Sequence, residues 1–302
     1  MRKLLMFITI AVCLCLCSTF IFTACAPKTI LVITREAGSG TRDAFDTLIK
    51  NENGDSLAKK ADGTNQPTDL FISNINILES TAQVVTKVAS TKNAIGYISL
   101  GSVDESVKAI SVNGVAPSSA TVLDGTYALK RPFVIVTKKD QNLTTATADF
   151  MSYLKSKDAQ EIVASSYIKQ DNDSKTAYVV PAAPLTGTIK LRGSTSIEPL
   201  MKSLIQAYKT RGGSAVSAIV FDLDALGSSP GITATKGDTE GNIIGMSSSA
   251  LKSADKEVLE EFDIALDAVA IIVNNDNSIT NLTIAQIFDI YTGKLTSFAD
   301  IK

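Results

Sequence analysis

The sequence of 302 residues contains no histidine and no tryptophan. Without histidine there is no Ser–His–Asp triad, no Cys–His dyad and no HExxH zinc site. An excess of charge of one sign is lacking too: 29 Lys and Arg stand against 31 Asp and Glu. That balance argues against a broad nucleic-acid surface, which needs a basic excess. Cysteine is scarce, and its four copies (Cys13, Cys15, Cys17, Cys25) all fall at the amino end. The body beyond them therefore has no disulfide and no thiolate chemistry. No carboxylate cluster has the spacing of metal ligands. Neither an enzyme nor a cofactor is expected. What is present is globular in character, with 45% hydrophobic and 20% charged residues. The length allows one large domain or two ordinary ones.

The first segment reads as an address. Arg2 and Lys3 precede an apolar run from Leu4 to Phe22, which closes on Thr23-Ala24-Cys25. A basic head, an apolar stretch and small residues describe a secretory signal over 1–24. The ending resembles a bacterial lipobox, with cleavage before Cys25 and lipid on its thiol. The alternative is an uncleaved transmembrane anchor, since the run is just long enough to span a bilayer. On either reading the rest of the chain lies outside the cytoplasm, tethered to a membrane. Loss of 1–24 would leave acidic side chains four in excess.

The body alternates strands and helices. Thr29 to Thr34 is a short β-branched strand. It runs through the glycine-bearing stretch 35–42 into an amphipathic helix, 43–50, and a polar loop over 51–70. Ser80 to Gln83 has capping-box spacing and opens a helix to about Ala89. Strands are predicted at 94–100, 107–112 and 132–137, then helices at about 146–157 and on to 164. Residues 169–187 read as a linker. The same grammar restarts with strand 188–191, loop 192–196 and helix 197–209, where Pro199 sits in the first turn. Further strands are predicted at 216–221, 243–247 and 264–273, with a short helix after Gly227. A second capping box, Thr283 to Gln286, opens a helix to about Tyr291. Such alternation predicts an α/β fold with mostly parallel sheets.

Three loops share one construction: glycine, hydroxyl residues, then a helix start. They are Gly38-Ser39-Gly40-Thr41, Gly193-Ser194-Thr195-Ser196 and Gly227-Ser228-Ser229. A helix start offers unpaired N–H groups and the positive end of the macrodipole. Serine and threonine add donors without charge, so together these form an anion site. For one loop alone, plain N-capping is the commoner role of a serine or threonine. Three such loops, one beside Arg35, favour the anion reading, because a guanidinium binds a tetrahedral oxyanion by two parallel bonds. No Lys-Ser/Thr follows the glycines, so a Walker A loop fits poorly. Gly38-Ser39-Gly40 is not G-x-S-x-G, so a serine hydrolase fits poorly as well.

The segments TREAGSGTRDAF (34–45), STAQVVTKVASTKNAIGYISLG (80–101), GSTSIEPLMKSLIQAY (193–208), IGMSSSALK (244–252) and the stretch 270–301 resemble a known family. It is the phosphate-binding component of bacterial phosphate ABC transporters, the PstS-like proteins. The resemblance implies a two-lobed periplasmic-binding-protein-like fold of type II, with the ligand in a cleft between lobes. It covers most of the chain, but in a rearranged order. In the usual family the GSTS segment comes first; here REAGSGTR does. A circular permutation accounts for this, with residues 168–187 joining the usual termini and new ends near Lys28 and Lys302. The alternative is a piece of a tandem array. Strands 268–273 and 131–137 then become the lobe crossovers. One lobe runs over 131–270, and the other is split between 29–130 and 271–302. Ile33 and Ile272 are expected in one shared core region.

The resemblance implies phosphate ligands at Arg35, Ser39, Gly40 and Thr41 from the split lobe. From the continuous lobe it implies Thr195, Ser196, Ser228 and Ser248. Pro230 stands where a small flexible residue is usual, and Ser249 where arginine is common. Some members carry aspartate at the places of Ala37 and Ser248, to accept the proton of hydrogen phosphate. Here Glu36, a hydroxyl or a carbonyl is left as the acceptor. Glu36 can equally be a solvated charge paired with Arg42. The expected function is a lipid-anchored monomer that captures inorganic phosphate and delivers it to a membrane permease. The alternatives are a sensing lipoprotein for another oxyanion, such as sulfate or molybdate, and an enzyme of phosphate esters.

Overall fold

In a computed structural model the protein is described over residues 29–67, 70–169 and 176–301. The secretory run, Cys25 and the expected new ends at Lys28 and Lys302 lie outside the described residues. The chain opens with β1 (Leu31–Arg35) and α1 (Gly40–Leu48). Next come β2 (Asn76–Leu78), α2 (Thr81–Ala89), β3 (Ala94–Ser99), β4 (Val107–Ala109), β5 (Ser111–Val112) and α3 (Ser119–Leu123). Then follow β6 (Lys130–Lys138), α4 (Thr145–Leu154), α5 (Lys157–Val163) and β7 (Ile168–Lys169). The remainder is β8 (Thr186–Gly193), α6 (Glu198–Gly212), β9 (Ala218–Asp224), α7 (Ser228–Lys236), β10 (Ile243–Ser247), β11 (Leu259–Asn274), β12 (Asn281–Leu282) and α8 (Ile284–Tyr291).

The α/β alternation is as the hydrophobic pattern predicts, but the sheet is mixed rather than mostly parallel. Ten strands join in the order β2-β1-β3-β11-β6-β10-β8-β9, with β4 and β7 also on β11. Parallel pairs lie at either side: β1 with β2 and β3, and β8 with β9 and β10. The antiparallel pairs all involve β6 or β11. β11 explains why. Its first part, Leu259 to Ala268, pairs with β6, and its continuation, Val269 to Val273, pairs with β3. A single 16-residue strand thus passes from one half of the sheet to the other.

Two large apolar cores lie on either side of that passage. One is built from residues between Phe133 and Ala265, including Phe150, Leu191, Leu204 and Ile244. The other joins Ile30, Phe45, Tyr97 and Leu129 to Val269, Phe288 and Tyr291. A smaller cluster puts Ile33 and Ile272 together with Val84 and Ile98, both isoleucines fully buried. Burying each such side chain contributes about 1.5–3 kcal/mol.

Several local differences from the sequence reading have physical reasons. β11 starts at Leu259, not at 264, because Glu260, Glu261 and Asp263 are polar and at least partly exposed yet the stretch still pairs with β6. The predicted strand over 107–112 is two strands, since the chain leaves β11 at Ile110 to pair with β12. The expected linker is partly structured: Ile168 and Lys169 pair with β11, and Tyr178 is buried, donating to Asp149 at 2.6 Å. The predicted capping box at Thr283 is complete, with Gln286 N on Thr283 at 3.1 Å and Thr283 N on Gln286 at 2.8 Å. At Gly193 the backbone has φ of 144°, and an added Cβ would fall 2.1 Å from the Met246 carbonyl. Only glycine lets β8 end so close against β10 and turn into the loop that follows.

Candidate functional site

Each candidate loop leaves a strand and enters a helix at the same place in space. β1 ends on Arg35, and Gly40 and Thr41 begin α1. β8 ends on Gly193, and Thr195 and Ser196 precede α6. Ser228 begins α7, and Ser248 follows β10. Arg35, Ser39, Thr41, Thr195, Ser196, Ser228 and Ser248 are all buried. The first turns of α1, α6 and α7 therefore meet, each bringing backbone N–H groups and a positive dipole end.

Capping occupies only one of the implied hydroxyls. Ser39 is the N-cap of α1 and accepts from Arg42 N at 3.3 Å. Neither α6 nor α7 has a side-chain cap, so Thr195, Ser196 and Ser228 are not spent in that role. They bond across the site instead. Thr41 Oγ1 lies 2.8 Å from Ser196 Oγ, and Ser228 Oγ lies 3.4 Å from Ser248 Oγ. Ser228 Oγ also accepts from Ser248 N at 3.1 Å. Gly40 faces both serines: an added Cβ there would sit 2.5 Å from Ser228 Oγ and 2.7 Å from Ser248 Oγ.

Arg35 is the hub. Its Nη2 donates to Thr195 Oγ1 at 3.0 Å and to the Glu79 carbonyl at 3.2 Å. Its Nη1 reaches Thr81 Oγ1 at 3.4 Å. Glu36 grips the guanidinium from the other side, with Nε on Oε2 at 2.8 Å and Nη2 on Oε1 at 2.9 Å. This corrects the reading that paired Glu36 with Arg42. Arg42 is instead bound to Asp46 at 3.2 Å and donates to the Arg35 carbonyl at 3.0 Å. Glu36 follows the last residue of β1, where the chain leaves the extended strand and neighbouring side chains are no longer held on opposite faces. Below Arg35 an aromatic stack holds β1 in place: Phe45 and Tyr97 lie 3.9 Å apart, centroid to centroid. Tyr97 Oη accepts from Arg35 N at 3.2 Å, and Tyr291 Oη donates to the Ile33 carbonyl at 2.8 Å.

Three participants escaped the sequence reading. Thr81, at the start of α2, approaches Ser196 Oγ at 3.3 Å and Thr195 Oγ1 at 3.5 Å. A cavity of about 500 Å³ opens beside Thr81 and Thr195, lined also by Ser80, Ser102 and Pro199. The others are Arg131 and Asp267, a buried ion pair at 2.9 Å. A signal for these two existed, since a lone charge inside an apolar run such as IALDAVAIIV must be paired when buried. Thr81 carried no such mark. Among the described residues, no group of three or more His, Cys, Asp or Glu side chains could hold a metal. None of the described helices is long and apolar enough to cross a membrane.

The support behind Arg42 titrates. Burial pushes the Asp46 carboxyl up from 3.8 to about 6, against the pull of Arg42, and Asp43 adds to the rise. A raised folded-state value means that the native protein holds this proton more tightly than the unfolded chain. The resulting stability is full below 3.8 and is lost as pH rises through about 6. Asp46→Asn should therefore be more stable than wild type at pH 8, by roughly 2–3 kcal/mol. The gap should close at pH 3.5, as urea midpoints at the two pH values would show. An equal gap at both would disprove this origin.

Comparison with known proteins identifies the family of this chain. The model of the PBP superfamily domain matches residues 23–158 and 179–300. A phosphate-binding protein PstS 2 of Streptococcus pneumoniae serotype 4 is 40% identical over 279 residues, covering 92% of this chain and 89% of that protein. A PstS 2 of Streptococcus agalactiae serotype V is 35% identical over 278 residues, covering 91% and 88%. A crystal structure of the phosphate-binding protein of a Streptococcus pneumoniae phosphate ABC transporter superposes with a TM-score of 0.65. That match is 39% identical and covers 91% of this chain and 100% of that one. The fold, the buried polar cleft and these matches agree: the chain belongs to the PstS-like solute-binding proteins of the PBP superfamily, and is a binding protein rather than an enzyme.

Proposed function

We propose that this protein captures inorganic phosphate in the cleft around Arg35 and hands it to an ABC transporter permease. The observation that carries the reading is the convergence of one forked guanidinium with five buried hydroxyls, from Thr41, Thr195, Ser196, Ser228 and Ser248. Phosphate has four oxygens to satisfy, and a dry site of dipoles satisfies them strongly. The proposed ligands are Arg35, Ser39, Gly40, Thr41, Thr195, Ser196, Ser228 and Ser248. Ser39 contributes backbone as well as its capping hydroxyl. Glu36, forked to Arg35, supplies the carboxylate that a protonated phosphate oxygen needs, in place of the acidic residues missing at Ala37 and Ser248.

The proposed organisation is two lobes, 131–270 and 29–130 with 271–302, closing on the ligand. Grouping of the buried side chains into two cores, with β11 passing between, supports it. The proposed order is circularly permuted. A single match over nine-tenths of both chains is what shared order with the streptococcal proteins produces. The proposed location is outside the cytoplasm, with lipid on Cys25. The protein is proposed to act as a monomer.

Calorimetric titration of the soluble domain, stripped of anion, tests the reading. Phosphate and arsenate should bind tightly and sulfate and molybdate weakly. At phosphate a hundredfold above Kd, thermal unfolding should show about 2.7 kcal/mol of added stability. Equal or tighter binding of sulfate would transfer the site to a fully ionised oxyanion, as the neutral residues Ala37 and Ser248 would suit. Binding of none of the four would overturn the anion site.

A further inference from the structure

Arg131 and Asp267 lie beneath the cleft, on the two long strands that link its sides. Both are buried, at 3% and 2% exposure. Arg131 Nε donates to Asp267 Oδ2 at 3.0 Å. Nη2 lies 2.9 Å from the same oxygen, though without a well-directed hydrogen bond. The pair has a direction. On the carboxylate side, Oδ1 accepts from Ser99 Oγ at 2.8 Å, on β3. On the guanidinium side, Nη1 donates to the carbonyl of Ser248 at 3.2 Å. Ser248 is a proposed ligand, and its own N–H and hydroxyl engage Ser228. The positive end of the pair therefore points at the anion site, and the negative end points away.

A buried ion pair is a poor way to gain stability, because desolvation offsets most of the attraction. Its presence here matches an electrostatic need. The charge of Arg35 is already met by Glu36. Burial lowers the proton affinity of Arg131, Asp267 opposes this, and the charge of Arg35 lowers it further, so the two guanidinium groups feel each other. Two cations gathered in one dry region are stabilised by an anion between or beside them.

We propose that Arg131, oriented by Asp267, is a positioning residue of the anion site: it fixes the Ser248 strand end and adds the second positive charge. This inference rests on the proposed phosphate site, and one set of titrations separates the two. Wild type and the variants Arg131→Lys, Asp267→Asn and Arg131→Gln/Asp267→Asn are each titrated with phosphate, and their melting is recorded. The double variant leaves no unpaired buried charge and is expected to fold. It should bind phosphate about tenfold more weakly, as loss of a nearby charge in a partly dry site implies. Arg131→Lys keeps the charge and should retain affinity within about threefold. Asp267→Asn frees the guanidinium charge and should bind at least as tightly as wild type, although it melts lower. A purely structural pair would instead make affinity follow melting temperature across the series. That pattern, or wild-type affinity in the double variant, overturns the inference. No phosphate binding by wild type would overturn the underlying site instead.

Discussion

Replacing Arg35 by alanine should weaken phosphate binding by about 100- to 10,000-fold, since it removes two charge-assisted bonds worth roughly 1.5–3 kcal/mol each. The guanidinium links both sides of the cleft, reaching Thr81 on one and Thr195 on the other. No other side chain at the site combines a formal charge with that reach. The fold should survive. Arg35 packs at the end of β1, whose position is held independently by Tyr97 and Tyr291. Glu36, left without its partner, is 19% exposed and can turn to water. Melting without phosphate should therefore fall by only a few degrees. Arg35→Lys should recover little, because a point charge cannot fork across two oxygens. Calorimetry decides the point: unchanged affinity in Arg35→Ala would show that the anion lies elsewhere.

Gly40→Ala gives the second large effect, by geometry rather than charge. The new methyl would lie 2.5 Å from Ser228 Oγ, 2.7 Å from Ser248 Oγ and 3.1 Å from Ser228 Cβ. Both serines belong to the opposite side of the cleft. To make room, either the hydroxyls rotate away or the two sides stay apart, and each outcome removes donors from the anion. A loss of about 100-fold in phosphate affinity is expected, equal to one or two such bonds. Stability without ligand should be unchanged or slightly higher, since alanine favours the first turn of α1 by up to about 1 kcal/mol over glycine. Affinity and stability thus move in opposite directions, which general damage to the fold would not produce. Wild-type affinity in Gly40→Ala would mean that the cleft does not close over Gly40 when the anion binds.

Much of this site was legible in the chain itself. The β-branched run before Arg35, the glycines and the hydroxyls of three loops are local signals, and each loop does join a strand to a helix. Both predicted capping positions, Ser80 and Thr283, start helices. Strand boundaries were less legible. Half-exposed residues such as Glu260 to Asp263 gain their strand state from β6, not from their own hydrophobicity. The expectation of mostly parallel pairing failed for the same reason: alternation of elements says nothing about the direction of a strand that crosses between halves.

The sequence by itself determined the chemistry that this protein can use. With no histidine and no cysteine in its body, it has helix ends, hydroxyls and arginine. Such groups do not titrate near neutral pH, so they favour steady capture of an anion over catalysis. Only the tertiary structure decided how those groups are shared out. Glu36 pairs with Arg35 rather than Arg42, Thr81 joins from a separate helix, and Arg131 meets Asp267 across 136 positions of sequence. The physical reason is that burial makes each charge seek a partner at hydrogen-bonding distance, and which partner is within reach is set by the sheet, not by spacing along the chain.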